Sequence, residues 1–372
     1  MMLIGIDASR SVAQRRTGTE NYSLNLIRHL LISDTEHRYR LYFNHPPPYN
    51  LQPVTCDLRI MPFPRLWTHL RLSWEMARRP PDVLFVPAHV LPIVHPRRSV
   101  VTIHDLGYLY YPEAHRPLDR LYLDLSTRYN ARAAAHLIVD SLATKRDLVE
   151  RYGTNSDKIT VIHPGYDKET FQPVRDEGAI EAIKAKYGIA SDYILFVGTL
   201  QPRKNLVRLI EAFASMQVGK YANLQLVIAG KKGWLYQEIF RQVEEFGLED
   251  RVVFTGYVPE GDLPVLMSGA RLFVFPSLYE GFGLPVLEAM ACGVPVACSN
   301  VSSLPEVAGD AAVLVDPLDV EGMAVAIERV LGDEDLRGEL IERGFEQAKK
   351  FSWEKCARET LKVLEMVGWS ND

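Results

Sequence analysis

At 372 residues the chain is longer than one ordinary hydrophobic core supports, so two domains are expected. Its 47% hydrophobic and 24% charged residues suit a soluble globular protein, and no apolar run approaches the roughly 20 residues that span a bilayer. The net charge of −5 hides a split: residues 1–170 hold 22 Lys+Arg against 17 Asp+Glu and residues 171–372 hold 20 against 30, so the first half is expected to face something anionic.

The start, MMLIGIDASR, has neither a basic nor a long apolar leader and reads as a first strand. Cys56, Cys292, Cys298 and Cys356 lack metal-ligand spacing, which points to buried thiols in a reducing cytoplasm and gives no support for zinc. In chain order the strand candidates of the first half are MLIGIDA, RYRLYFN, DLRIMPF, DVLFVPA, SVVTIHD, HLIVDS and KITVIHPG. Those of the second are YILFVGTL, LQLVIAG, RVVFTGY, LFVFPS, VPVACS and AAVLVDP. Helical periodicity lies between them, as in KNLVRLIEAFASM, where Leu206, Leu209, Ile210 and Phe213 make one apolar face.

Strands separated by helices imply parallel sheets with right-handed crossovers, hence an α/β protein of two doubly wound Rossmann-like domains facing across a cleft. Pro164, Gly165 and Pro173 interrupt regular structure at the boundary. The expected division is 1–170, 171–350 and a final segment, 351–372, whose helix SWEKCARETLKVLEMV packs back on the first domain.

Open parallel sheets take ligands at the carboxyl ends of their strands. In PSLYEGFGLPVLEAMACGVPVACSN, Glu280 and Glu288 flank Gly281, Phe282, Gly283 and Leu284, with Pro285 suited to a helix first turn. Free N–H groups there would hold phosphate, and the glutamates would accept hydrogen bonds from neutral hydroxyls on either side, as in a nucleotide sugar. A solvated loop glutamate and a helix-surface glutamate would show the same spacing. In FVGTLQPRKNL, Arg203 and Lys204 follow a strand end, where two cations either neutralise a pyrophosphate or decorate a solvated turn. His104, in VVTIHDL, is either a satisfied core histidine or a partner of the transferred sugar. In SVAQRRTGTENY, Thr17, Gly18 and Thr19 offer backbone N–H groups to a phosphate. Neither a Walker-type lysine motif nor a GxGxxG fingerprint occurs, which counts against ATP and dinucleotides.

The ordered set GTENY, IHDL, FVGTLQPRKNL, LVIAGKKGW, VVFTGYVPEGDLPVLMSGARLFVFPS, EGFGLPVLEAMACGVPV and FSWEKCARETL resembles family 4 retaining glycosyltransferases of the GT-B architecture, most specifically over residues 194–316. The resemblance implies an acceptor-side first domain and a donor-binding second domain. It places Glu280 on the donor-sugar hydroxyls, Glu288 on the ribose, Gly281 to Leu284 on the sugar-phosphate region, and Arg203 and Lys204 on the pyrophosphate. It also gives His104 a sugar contact, Gly18 the loop over the diphosphate, and Tyr257 and Val258 the base. It further implies hexose transfer from a nucleoside-diphosphate sugar to a carbohydrate or lipid-linked acceptor, with retention by same-face attack and without a metal ion or other cofactor. Likeness to bacterial mannosyltransferases of polysaccharide assembly favours GDP-mannose, with UDP-glucose and other UDP-sugars as alternatives; a nucleic-acid partner is not expected. A sugar-nucleotide epimerase, a phosphorylase or a non-catalytic sugar-nucleotide-binding subunit would share the two-domain shape. VIHPGYD departs from relatives that carry asparagine before the glycine, at the hinge.

Residues 64–82, PRLWTHLRLSWEMARRPPD, would place Leu66, Leu70 and Trp74 on one helical face with Trp67 alongside and Arg65, Arg71, Arg78 and Arg79 around them. Such a segment either rests on an anionic membrane, giving a cytoplasmic enzyme a peripheral contact with the inner leaflet, or packs its tryptophans into the first domain.

Overall fold

The computed structural model describes residues 1–12, 18–47, 56–88, 90–112, 116–216 and 221–370. They form two compact units. The first comprises Met1–Leu106, Arg116–Gly165 and the chain from Ser352 onward; the second comprises Tyr166–Phe351 and a short stretch beginning at Gly107.

Among the described residues the first unit holds β1 (Leu3–Asp7), β2 (Arg38–Phe43), β3 (Cys56–Ile60), β4 (Val83–Val86), β5 (Ser99–Ile103), β6 (His136–Val139) and β7 (Ile159–Val161). They pair in the order β3-β2-β1-β4-β5-β6-β7, every pairing parallel. The central strands are apolar on both faces because helices cover both sides, which is why VLFV and SVVTI read as continuous runs without alternation. Ile4, Ile6, Phe85 and Val100 pack with Tyr22, Leu26 and Leu30 of the helix Gly18–Ser33 and with Trp353, Ala357 and Leu364 of the helix Trp353–Trp369. The latter helix is capped by Ser352, whose Oγ accepts from Lys355 N at 3.1 Å. Its start passes so close to Gly165 that a Cβ there would lie 2.1 Å from Trp353 N, so the position demands glycine.

The second unit holds β8 (Tyr193–Val197), β9 (Gln225–Ala229), β10 (Val252–Gly256), β11 (Leu272–Phe275), β12 (Val296–Ser299) and β13 (Ala312–Val315) among the described residues. Their order is β10-β9-β8-β11-β12-β13, again with parallel pairings. The helix Leu206–Ser215 buries Leu206, Leu209, Ile210 and Phe213, the face its spacing predicts. In each unit the strand order reverses at the first strand, between β1 and β4 and between β8 and β11, and ligands of such sheets bind beyond the carboxyl ends at that point.

Residues 64–79 differ from the single helix expected. Leu66 has φ +54° and stands outside it; a π-helical turn covers Thr68–Leu72 and an α-helix Ser73–Arg78. The break turns Trp67 inward, where it is buried and donates from Nε1 to Met61 O at 2.7 Å. Leu66, Leu70 and Trp74 remain exposed.

Candidate active site

In the second unit β8 runs out into a 3-10 turn, Pro202–Lys204, and Asn205 then takes the left-handed conformation (φ +59°) that starts the helix Leu206–Ser215. Asparagine tolerates that conformation, and here its amide is also used: Nδ2 donates to Pro276 O at 3.1 Å and Pro317 O at 2.6 Å. Asn205 thereby ties the turn to the segment leaving β11. Leu278 N donates to Arg203 O at 2.9 Å, a second tie between the same two segments.

This fastening brings together the cations and the first glutamate, which are far apart in sequence. Lys204 Nζ lies 2.5 Å from Glu280 Oε1, and Arg203 Nη1 lies 3.4 Å from Glu280 Oε2 while donating to Tyr279 O at 2.6 Å. All three side chains are largely buried. Burial alone would push the Glu280 carboxyl up, but Lys204 and Arg203 outweigh it and hold the group below the usual glutamate value. Glu280 therefore accepts from both cations. Its backbone is also fixed: Glu280 N donates to Ser302 Oγ at 2.9 Å, and Ser303 Oγ donates to Glu280 O and Phe282 O at 2.9 and 2.7 Å.

Gly283 follows with φ +119°, a conformation that favours glycine, and a Cβ there would also press on the Leu304 side chain, 2.7 Å from Cδ2. It caps the helix Leu284–Ala291, whose first turn holds Pro285 and has no side-chain cap. Gly281 and Phe282 are buried beside it, and Leu284 is partly buried. Backbone N–H groups and the helix dipole at this end are suited to an anion.

Glu288 lies one turn further along that helix. Burial, then Glu260, then Asp167 push its carboxyl up to about 8, so at neutral pH it is largely protonated and can donate as well as accept a hydrogen bond. Tyr257 is half exposed and Val258 buried just beyond β10, three strands from β11.

His104 and Gly18 belong to the first unit. His104 follows β5 and points both ring nitrogens at oxygen: Nδ1 lies 2.6 Å from Asp140 Oδ2 and Nε2 3.0 Å from Pro87 O. Nδ1–H can donate to the Asp140 carboxylate, and in the imidazolium form Nε2–H donates to Pro87 O as well. Burial works against that form, but the Asp140 carboxylate outweighs it and raises the His104 pKa. Tyr22 packs against the ring in a T-shaped arrangement, with 4.7 Å between ring centroids. Gly18 opens the helix Gly18–Ser33, exposed and with no atom within 4 Å of where a Cβ would stand; Thr17 lies outside the described residues.

Asp140, Ser302 and Ser303 escaped the sequence reading, and Asn205, which stands beside Arg203 and Lys204 in FVGTLQPRKNL, carried no role there. Asp140 carried a usable signal, since it follows the apolar run in HLIVDS, the next strand candidate after the one that carries His104, and consecutive strands are commonly neighbours. The others hold backbone, and no local pattern marks that role.

The family description "Glycosyltransferase Family 4" matches residues 16–170 and "Glycosyl transferases group 1" matches residues 179–347. O-antigen chain mannosyltransferase B of Escherichia coli is 36% identical over 272 residues, 73% of this chain and 71% of that protein. The chain is a family 4 glycosyltransferase. Its two parallel-sheet units have the GT-B fold. Sucrose-phosphate synthase from Thermosynechococcus elongatus superposes with a TM-score of 0.77 at 22% identity over 99% of both chains. HepE of Anabaena, solved with UDP and glucose, superposes with a TM-score of 0.75 at 19% identity over 98% of this chain and 99% of its own. In this transferase, the match over residues 179–347 contains the Arg203–Lys204–Glu280 cluster and the turn at Gly283.

Proposed function

We propose that the enzyme transfers a mannosyl group from GDP-mannose to a hydroxyl of a growing glycan, with retention of configuration, without a metal ion, and at the surface of an anionic membrane on the cytoplasmic side. The observation that carries the reading is the buried pair of cations, Arg203 and Lys204, held at the carboxyl end of β8 by Asn205 and next to the N-terminus of the helix Leu284–Ala291. When the bond from the anomeric carbon to the diphosphate breaks, negative charge collects on the leaving group. Two preorganised cations and a helix N-terminus stabilise that charge more than the charge of the intact donor.

Glu280 supplies the counter-charge while the donor is absent, and Lys204, with three N–H donors, can keep Glu280 and take a phosphate oxygen as well. Because both Glu280 oxygens are held by cations, the carboxylate is a poor nucleophile. The acceptor hydroxyl then attacks the face the diphosphate leaves, and the departing phosphate oxygen takes its proton. Glu280 holds the donor sugar, Glu288 the ribose, and Tyr257 and Val258 the base; for His104 and Gly18, of the first unit, the reading rests on the family resemblance alone.

The mannosyl assignment is supported by the name of the Escherichia coli relative. The HepE complex with UDP and glucose supports the second reading, transfer from UDP-glucose or a related UDP-sugar. A thermal-shift panel of GDP, UDP and their sugars, followed by product mass with oligomannoside acceptors, separates the two. Stabilisation by GDP-mannose with a product heavier by one hexose is expected; stabilisation by UDP-sugars alone would transfer the assignment to the second reading.

A further inference from the structure

The helix Pro117–Ala133 packs the wrong way round for one whose only neighbour is water. Its buried residues are Thr127 and Asn130, and the Asn130 amide oxygen accepts from Leu91 N at 3.1 Å. Leu118, Leu121, Tyr122 and Leu125, spaced as one helical stripe, face solvent, Leu118 with 79% of its surface exposed and the others with about half. An apolar stripe at this spacing ordinarily faces a core.

The stripe is continuous with other exposed apolar side chains of the same unit. Tyr122 meets His69 edge to face, with 3.3 Å between the hydroxyl and Nε2, which joins it to the segment carrying Leu66, Leu70 and Trp74. Tyr129 OH donates to Pro92 O at 2.9 Å and Val94 N to Ser73 Oγ at 3.2 Å, which brings the exposed Ile93 and Val94 to the same face. Across residues 63–79, 91–98 and 116–129, nine arginines stand against three carboxylates, and Arg65, Arg78, Arg116 and Arg120 are exposed. Arg78 stacks over Trp74 at 4.4 Å, holding charge beside an exposed ring.

We infer that the helix Pro117–Ala133, together with residues 63–74, is a docking face for an anionic phospholipid bilayer, the leucines entering the acyl boundary and the arginines meeting headgroups. The inference rests on the membrane reading above and adds the helix, with its inverted face, as the element that enters the lipid. A second copy of the chain would set one arginine rim against another across a two-fold axis, and a nucleic acid would engage the arginines but leave the leucine stripe uncovered. Only an anionic lipid surface matches both the charge and the apolar area. Among the described residues no helix is long and apolar enough to cross a membrane, and the contact inferred is peripheral.

The test is co-sedimentation of the full chain with vesicles of phosphatidylcholine and phosphatidylglycerol in equal parts at low salt. Wild type pellets, and L118S/L121S/L125S partitions about tenfold less or weaker still while keeping wild-type melting behaviour and nucleotide-sugar stabilisation. If that variant pellets like wild type while L66S/L70S/W74S does not, the membrane reading stands and the role of the helix is overturned. Wild type that fails to pellet overturns both. Dimeric wild type that ignores vesicles and becomes monomeric as L118S/L121S/L125S assigns the face to a protein contact and overturns the lipid.

Discussion

Lys204 Nζ sits 2.5 Å from Glu280 Oε1, so the cation assigned to the leaving diphosphate is already neutralised by a carboxylate 76 residues away in sequence. Removing one member of a buried ion pair leaves the other uncompensated, which typically costs about 3–5 kcal/mol of stability. Lys204→Ala is therefore expected to lower the melting temperature as well as to raise the transfer barrier by about 2–4 kcal/mol. The double variant K204M/E280Q separates the two effects: it should regain much of the stability and none of the transfer. Recovery of turnover along with stability would show that the pair is structural only.

The two glutamates of the motif are expected to fail in different ways. The ribose is present in product as well as donor, so Glu288→Ala should weaken binding of the free nucleoside diphosphate, measured by calorimetry. Glu280→Gln keeps the shape and should impair transfer while leaving nucleotide affinity nearly intact. Equal loss of nucleotide affinity in the two variants would contradict the division of labour.

Glu288 also gives a pH signature. In the unfolded chain its carboxyl ionises near 4.5 and in the folded protein near about 8. Between those values the unfolded state has released a proton that the folded state keeps, so this group lowers stability as pH rises from 4.5 towards 8. Glu288→Gln should be close to neutral at pH 5 and stabilising at pH 8, read from chemical denaturation at both pH values. Destabilisation at pH 8 equal to that at pH 5 would mean that the carboxyl is not raised.

Asp140 sets the charge of His104. The raised imidazole stabilises the folded state fully below the ordinary histidine value of 6.5, and that stabilisation is lost as pH rises through the folded value. With Asp140→Asn, only Asp105 and the Pro87 carbonyl still oppose burial, so the histidine should lose its second proton at lower pH and the alkaline limb of kcat/KM should move down with it. Nitrogen chemical shifts of labelled His104 report the same change without catalysis. An unmoved limb together with unmoved shifts would sink the assignment.

Much of this architecture is readable along the chain because each piece is local. All thirteen strand runs named from composition are strands, and the central ones are the unbroken apolar runs that a parallel sheet covered on both faces needs. Arg203, Lys204, Glu280, Gly283 and Glu288 were likewise visible as short motifs at strand ends. The pairings were not: Lys204 with Glu280 and His104 with Asp140 are set by which strands become neighbours. Residues 64–79 show the limit from the other side. Periodicity put Trp67 near Leu70 and Trp74, but the positive φ at Leu66 and the π-turn at Thr68–Leu72 change the register and send Trp67 inward. The stripe Leu118, Leu121, Tyr122 and Leu125 has the spacing of a core face, and only the burial of Thr127 and Asn130 shows that it points outward.

The central claim is transfer of the hexose with retention, driven by fixed cations. It is tested most directly by the anomeric configuration of the product formed from GDP-α-mannose and an oligomannoside in excess EDTA, read by proton NMR. An α-mannoside formed at an undiminished rate is expected. A β-mannoside, or a reaction abolished by EDTA and restored by magnesium or manganese, would contradict it.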